Sequence, residues 1–178
     1  MIFLRDPVSL IQPNSAMTSE QLEIAEEFIT ELVGLGVLLE VDPEYVKTNA
    51  PTFCLPKPGQ PGPWQVLADM KKGWQNEAVG ADPTIFPKTT HILDQMYFGG
   101  FTCAIDTSKY FYKFPMVSSQ RCYMGVISST TGKSFVYAGL AMGAGNSPSV
   151  AGHMGSAFLR ALEDRSPYFQ GTPQFNTW

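Results

Sequence analysis

The sequence is short of charged residues, and this shortage limits what the isolated chain can do. Only 16% of its 178 residues are charged, against about 25% in an average soluble domain. A surface with so little charge indicates that part of it is covered by another molecule. The net charge is −4, whereas a protein that binds nucleic acid on its own is usually basic. The acidic balance therefore argues against free-standing nucleic-acid binding.

Cysteine and histidine are also scarce. Cys54, Cys103 and Cys122 are far apart, form no Cys-x-x-Cys pair and lie in apolar, strand-like surroundings. We interpret them as buried, reduced thiols of an intracellular protein in a reducing compartment. His91 and His153 lie in separate segments without ligand spacing. The sequence therefore contains no cluster for zinc, haem or an iron–sulfur centre.

Long apolar segments are absent. Residues 1–4 are too few for a secretory signal and follow no basic region. Residues 134–159 contain no Asp, Glu, Lys or Arg, but glycines, Asn146 and Pro148 interrupt them. Neither half reaches the roughly 20 apolar residues of a membrane-spanning helix, so we expect no membrane span.

The hydrophobic pattern predicts three helices. Thr18 has the character of an N-cap, and apolar residues at helical spacing follow it up to Gly34. Thr89 or Thr90 caps a second, short helix. Ser147 caps a third helix, with proline at the first helical position.

Short strands separated by Gly, Pro, Ser and Thr turns are predicted between the helices. The predicted strands are 37–41, 52–57, 64–69, 101–105, 121–127 and 134–138. The second and third form one antiparallel hairpin and the last two form another, while residues 73–88 are mostly loop. Helices mixed with hairpins, without regular alternation, indicate an α+β fold. We expect an irregular arm over 1–17, one domain over 18–165 and a tail over 166–178.

A lone aspartate follows the predicted strand 101–105. Asp106 ends an apolar segment, and an aromatic cluster that includes Tyr110 and Phe111 comes next. A carboxylate at the end of a buried strand is destabilising unless it meets a cation, so Asp106 is a candidate metal ligand. Two alternatives remain open from the residues alone: Asp106 caps the following turn, and the aromatic residues belong to the core.

Several segments resemble, in order, the reverse transcriptases of retroelements over roughly residues 21–162. The first helix and Leu38–Val41 are similar to the approach to the fingers. The other matching segments are Phe53-Cys54-Leu55-Pro56-Lys57, Trp64 to Lys72, Ala104-Ile105-Asp106 to Pro115, and Leu140-Ala141-Met142-Gly143-Ala144-Gly145-Asn146-Ser147-Pro148. The resemblance implies the fingers and the first half of the palm of an RNA-directed DNA polymerase.

The resemblance also implies roles for single residues. Such polymerases join a primer hydroxyl to a nucleoside triphosphate through two metal ions that carboxylates hold. Asp106 is the implied catalytic carboxylate and Mg²⁺ ligand, and Lys57 is the implied template contact. The implied nucleotide-binding residues are Lys71, Phe111, Met142 and Gly143, with Phe111 as a steric gate against a 2′-hydroxyl. From the residues alone, two adjacent lysines such as Lys71 and Lys72 are more often a solvated pair than a phosphate-binding site.

The chain departs from the family pattern at four places. Gln65 stands where the family has Arg or Lys, Tyr110 where it has a small residue, and Ala141 where it has proline. The second acidic motif, Tyr-x-Asp-Asp, is not in the sequence, and the only carboxylates after Gly139 are Glu163 and Asp164. Asp106 is thus one metal ligand of the three that the two-metal site requires.

These departures lead to two hypotheses about function. The first is a reverse-transcriptase-derived, non-catalytic structural or interaction subunit, whose partners are other protein subunits that cover an unpaired sheet edge beside residues 101–105. The alternative is a fragment or split half of an active RNA-directed DNA polymerase, which requires Mg²⁺ and a template–primer.

Overall fold

A computed structural model describes residues 8–57, 59, 64–79, 90 and 108–165. In these ranges the α-helices are α1 (Ser19–Gly34), α2 (Gln75–Ala78) and α3 (Ser147–Arg165). The strands are β1 (Leu38–Val41), β2 (Thr52–Pro56), β3 (Trp64–Ala68), β4 (Gly125–Ile127) and β5 (Ser134–Tyr137). Three 3₁₀ turns complete the described elements: Pro43–Tyr45, Tyr110–Lys113 and Ser118–Tyr123. The predicted mixture of helices and antiparallel hairpins is confirmed.

Helix α1 begins at the predicted N-cap. The Thr18 hydroxyl accepts a hydrogen bond from the Gln21 amide at 3.3 Å, and the Gln21 side chain accepts one from the Thr18 amide at 2.9 Å. This reciprocal pair satisfies two of the amides that a helix start leaves without partners. Ala25, Ile29 and Leu32 form the buried face of the helix.

The strands form two separate antiparallel sheets. A three-stranded sheet has the order β1-β5-β4, and β2 and β3 form a hairpin with Thr52 opposite Ala68 and Pro56 opposite Trp64. The core lies where α1 packs against the three-stranded sheet. Its fully buried large side chains include Leu32, Leu38, Met70, Met124, Val126 and Leu140.

Two predicted segments differ in the structure. The strand predicted over 121–127 is shorter, because Ser118–Tyr123 is a 3₁₀ turn and β4 begins only at Gly125. The Cys122 carbonyl accepts hydrogen bonds from the Lys47 and Thr48 amides, which keeps this residue out of the β4–β5 ladder. The loop predicted over 73–88 contains the short helix α2.

The remaining predictions concern the second and third predicted helices, the predicted strand 101–105 and Asp106. Thr90, one of the two residues predicted to cap the second helix, is itself helical. The rest of that predicted helix, the predicted strand 101–105 and Asp106 lie outside the described residues, as do His91 and Cys103. Helix α3 is confirmed, with Ser147 as its first residue; the Ser147 hydroxyl donates to the Ala141 carbonyl at 2.9 Å. Of the helices that the structure describes, none has the length and hydropathy to cross a membrane.

The arm over residues 8–17 is attached to residues 47–52. The Leu10 amide donates to the Lys47 carbonyl at 2.9 Å. The Asn49 side chain is fully buried; its oxygen accepts from the Gln12 amide at 2.7 Å and its nitrogen donates to the Gln12 carbonyl at 2.8 Å. Asn14 accepts from the Thr52 amide at 2.8 Å. Backbone and side-chain groups of residues 47–52 thus together pair the polar backbone groups of this arm.

Replacing Asn49 by alanine should detach the arm. We expect Asn49→Ala to lower the free energy of unfolding by about 2 kcal/mol, because it removes two hydrogen bonds and leaves partly buried backbone groups without partners. Urea denaturation followed by circular dichroism measures this change. Glu23→Gln, at an exposed position on α1, is the control and should change stability by less than about 0.5 kcal/mol. An Asn49→Ala chain as stable as the control would contradict this account of the arm.

Tyr137 should make the fold sensitive to alkaline pH. Its side chain is buried and stacks on Tyr112 with ring centroids 6.1 Å apart, and burial, followed by the neighbouring Tyr112, raises its pKa far above the ordinary value. A raised folded-state pKa means that the stability from this group is complete below about pH 10 and is lost as pH rises further, at about 1.4 kcal/mol per pH unit. Tyr137→Phe should flatten this decline in urea denaturation at pH values from about 9 to 12. An unchanged slope would show that other groups govern alkaline unfolding.

Candidate functional site

A cleft of about 520 Å³ lies between α1 and the β2–β3 hairpin. Helix α1 contributes Glu27, Phe28 and Glu31 to its wall. The other side chains that line it include Lys57, Trp64, Gln65, Val66, Lys109, Tyr112 and Met142. The structure therefore brings together two of the sequence-predicted site residues, Lys57 and Met142, on a partly apolar and partly charged surface.

One ion pair crosses this cleft. The Lys109 ammonium contacts the Glu31 carboxylate, and both side chains are partly exposed. Lys109 has a left-handed backbone conformation, with φ of +55°, which is uncommon for a residue with a side chain. Burial and then the charge of Glu31 raise the pKa of Tyr112 on the same wall. Glu31 thus acts electrostatically on two residues of the cleft.

A second cleft of about 330 Å³ adjoins the first. The side chains that line it are Phe53, Leu67, Ala68, Asp69, Met70, Lys71, Asn76, Met142 and Gly143. Three sequence-predicted nucleotide-binding residues therefore lie together here: Lys71, Met142 and Gly143. Met142 belongs to both clefts and is 43% exposed, so the two clefts form neighbouring parts of one surface.

Asn76 of α2 holds the loop that carries Met142. Its side-chain nitrogen donates to the Gly143 carbonyl at 3.1 Å, and its oxygen accepts from the Gly145 amide at 2.7 Å. Gly143 has φ of +91°, which a glycine adopts without strain. No sequence pattern marks Asn76, because it lies in the segment predicted as loop.

The aromatic residues after Lys109 divide between the core, the first cleft and α3. Phe111 is half-buried and packs against the core, and it is not among the residues that line the two clefts. Tyr112 lines the first cleft instead. The Tyr110 hydroxyl donates to the Ala151 carbonyl of α3 at 2.9 Å, and its ring meets Phe114 edge to face at 4.9 Å. Tyr110 therefore packs on α3, where Gly155 leaves room for its hydroxyl.

Asp106 lies outside the described residues, three positions before Lys109. The part of the chain that the structure describes contains no group of three or more His, Cys, Asp or Glu side chains arranged to hold a metal ion. The Mg²⁺ site therefore stays a prediction from the sequence.

Comparison with known proteins gives a match in fold. No family model matches the chain, and no curated protein matches its sequence. Among solved structures it is similar to a foamy viral protease–reverse transcriptase (dRH) in complex with double-stranded DNA, with a TM-score of 0.70 and 21% sequence identity. The alignment covers 93% of this chain and 26% of that chain, so this chain spans about a quarter of that protein's length. The chain therefore has a mixed α/β fold like that of part of a reverse-transcriptase polypeptide.

Proposed function

We propose that this chain is a reverse-transcriptase-derived domain that does not polymerise nucleotides by itself and acts as a subunit of a larger protein assembly. The observation that carries the proposal is the similarity in fold, combined with a single candidate metal-binding aspartate in the sequence. A two-metal site needs several carboxylates close together. A similar fold does not by itself supply these carboxylates.

The two acidic residues after Gly139 lie far from the implied nucleotide-binding residues Met142 and Gly143. Glu163 and Asp164 lie near the C-terminal end of α3, whereas Met142 and Gly143 precede its first residue. At 1.5 Å per residue, Asp164 lies about 25 Å along the helix axis from Ser147. No side chain spans that distance, so neither carboxylate reaches the second cleft, which Met142 and Gly143 line.

An exposed apolar surface on α3 supports the role of a subunit. Met154 and Phe158 are 50% and 65% exposed, and their separation of four residues places them on one face of the helix. Large apolar side chains grouped in this way are typical of surfaces that contact another protein. This surface is the one through which we expect the chain to join its assembly.

The clefts favour a second candidate function, in which the chain is one part of an active RNA-directed DNA polymerase and other parts supply the missing carboxylates. Lys57, Lys71 and Lys109 line neighbouring clefts, and ammonium groups of this kind bind the phosphates of a nucleotide as point charges. The volume of the first cleft is in the range of small-molecule sites. The foamy viral protein, with a similar fold, was bound to DNA.

Nucleotide binding in the first cleft should depend on the Glu31–Lys109 ion pair. Trp64 lines this cleft, so a chain with Trp74→Phe and Trp178→Phe reports binding of a deoxynucleoside triphosphate through Trp64 fluorescence. Glu31→Gln should tighten binding about two- to fivefold, because it frees Lys109 for phosphate, and Lys109→Gln should weaken it. Glu23→Gln, outside the cleft, should leave the affinity unchanged. Weaker binding by Glu31→Gln would contradict this role of Lys109.

Primer extension separates the two candidate functions. We expect no Mg²⁺-dependent extension of a DNA primer on an RNA template by the chain alone. If the chain is one part of a polymerase, adding the polypeptide that carries a Tyr-x-Asp-Asp motif should restore extension, and Asp106→Asn should abolish it, because it removes a metal-binding charge. Asp106→Asn should leave the melting temperature of the chain close to that of the wild type. Restored extension that survives Asp106→Asn would contradict the role of Asp106, and extension by the chain alone would contradict the main proposal.

A further inference from the structure

Helix α3 has an inner face that packs on the chain and an outer face on the surface. On the inner face Ala151 is buried, the Tyr110 hydroxyl donates to its carbonyl at 2.9 Å, and Gly155 leaves room for that hydroxyl. On the outer face Met154 and Phe158 are 50% and 65% exposed. The outer face therefore leaves large apolar side chains in water, and contact with another surface would remove them from it.

The apolar residues of the outer face follow the spacing of two paired helices. Val150, Met154, Ala157 and Ala161 are separated by four, three and four residues. This is the spacing of the a and d positions at which helices pack side by side. Met154, Ala157 and Ala161 are exposed, and Val150 is half-buried. These four residues, with Phe158 at their edge, are called the α3 seam.

The sizes of the side chains make the α3 seam complementary to itself. When two copies of α3 lie antiparallel, with Met154 of one copy opposite Ala157 of the other, Val150 lies opposite Ala161. Each of the four layers then pairs one large side chain with one alanine. Such layers fill the space between helix axes about 8–10 Å apart. In a parallel pair, Met154 would instead face Met154 and Ala157 would face Ala157.

The charge at the end of α3 also favours the antiparallel arrangement. Asp164 is exposed in the last turn, where the helix dipole disfavours a carboxylate. In an antiparallel pair the last turn of one helix lies beside the first turn of the other, so Asp164 meets a positive helix end. In a parallel pair two Asp164 carboxylates would lie together at two negative helix ends. Arg165, the next residue, already suits the end of its own helix.

We propose that two copies of this chain form an antiparallel dimer through the α3 seam. The inference rests on the proposed role as a subunit and names the partner as a second copy. A two-fold dimer uses the same surface on both sides, and the large and small layers of this seam match one another in that way. One pair of helices buries less than about 1,200 Å², at the small end of specific interfaces. We therefore expect a dissociation constant in the micromolar range.

Sedimentation equilibrium of the full chain at about 1–200 µM measures this association. We expect a reversible equilibrium between monomer and dimer. Met154→Glu should weaken it about tenfold or more, because the dimer would bury two carboxylates without partners. Met154 is exposed in the monomer, so this variant should melt at the wild-type temperature when both chains are monomeric. Val117→Glu, at a position outside α3 that is 55% exposed, is the matched control and should leave the equilibrium unchanged.

Asp164→Lys separates the interface from the stability of the monomer. Lysine suits the last turn of its own helix, so the monomeric variant should melt no lower than the wild type. The dimer should form about threefold or more weakly, because lysine then faces a positive helix end of the other copy. Stronger association of Asp164→Lys would contradict the antiparallel arrangement.

Cysteine cross-linking determines the direction of the two helices. A chain with Met154→Cys is mixed with an isotope-labelled chain with Ala157→Cys and is mildly oxidised. Mass spectrometry of the peptides identifies the linked positions and distinguishes them from links through the natural cysteines. We expect a disulfide between position 154 of one chain and position 157 of the other. In a parallel pair each variant would instead link to a copy of itself.

Three outcomes would overturn the inference. A chain that stays monomeric at about 200 µM would exclude a second copy as the partner. A dimer that Met154→Glu leaves unchanged would use another surface, and cross-links of each variant to itself would show parallel helices. A monomeric chain would leave the proposed role as a subunit intact, with a different protein on the α3 seam. The primer-extension experiment still tests that role separately.

Discussion

The structure depends on one buried segment, Thr48-Asn49-Ala50, whose three residues are completely inaccessible to solvent. Its backbone pairs with β4, since the Gly125 amide donates to the Thr48 carbonyl at 3.0 Å and the Ala50 amide donates to the Gly125 carbonyl at 2.8 Å. Its side chains bind the N-terminal arm through Val8 and Gln12. Because buried backbone groups must be paired, this segment fixes the arm and the sheet relative to each other.

Two glycines allow this segment to lie where it does. A Cβ on Gly125 would lie 2.9 Å from the Thr48 carbonyl oxygen, and one on Gly73 would collide with the Asn49 carbonyl. Neither glycine has a positive φ, so both are required for space rather than for backbone conformation. The turn that carries Lys71 and Trp74 is therefore positioned by direct contact with the buried segment. Contact with the buried core therefore holds this part of the candidate site in place.

The parts of the fold that local chemistry determines could be predicted from the sequence. Thr18 and Gln21 are three residues apart and form the cap of α1, and the Pro-Gly tip between residues 57 and 64 separates two strands that pair as expected. The start of β4 could not be predicted in this way, because it depends on amides of Lys47 and Thr48 that lie far away in sequence. Helix α2 is four residues long and carries no hydrophobic periodicity that would reveal it.

In the candidate site, too, some residues could be predicted from the sequence and others could not. The family resemblance implied a template contact at Lys57 and a nucleotide contact at Met142, and both residues line the first cleft. Glu31 and Lys109 were missed, because they are 78 positions apart and no spacing rule relates them. For Phe111 the resemblance implied a steric gate, while the residues alone also allowed a position in the core. The structure packs Phe111 against the core. Long-range contacts decided each of these outcomes.

Helix α2 connects the loop that carries Met142 to the turn that carries Trp74. Trp74 stands at its N-terminal end, and Asn76 within it binds both Gly143 and Gly145. Gln75 between them is fully buried, so this short helix cannot shift without disturbing the core. The loop that carries Met142 and the ring of Trp74 are thus attached to one rigid element over three consecutive residues. A shift of α2 would therefore move the loop that lines both clefts together with the turn that carries Lys71 and Trp74.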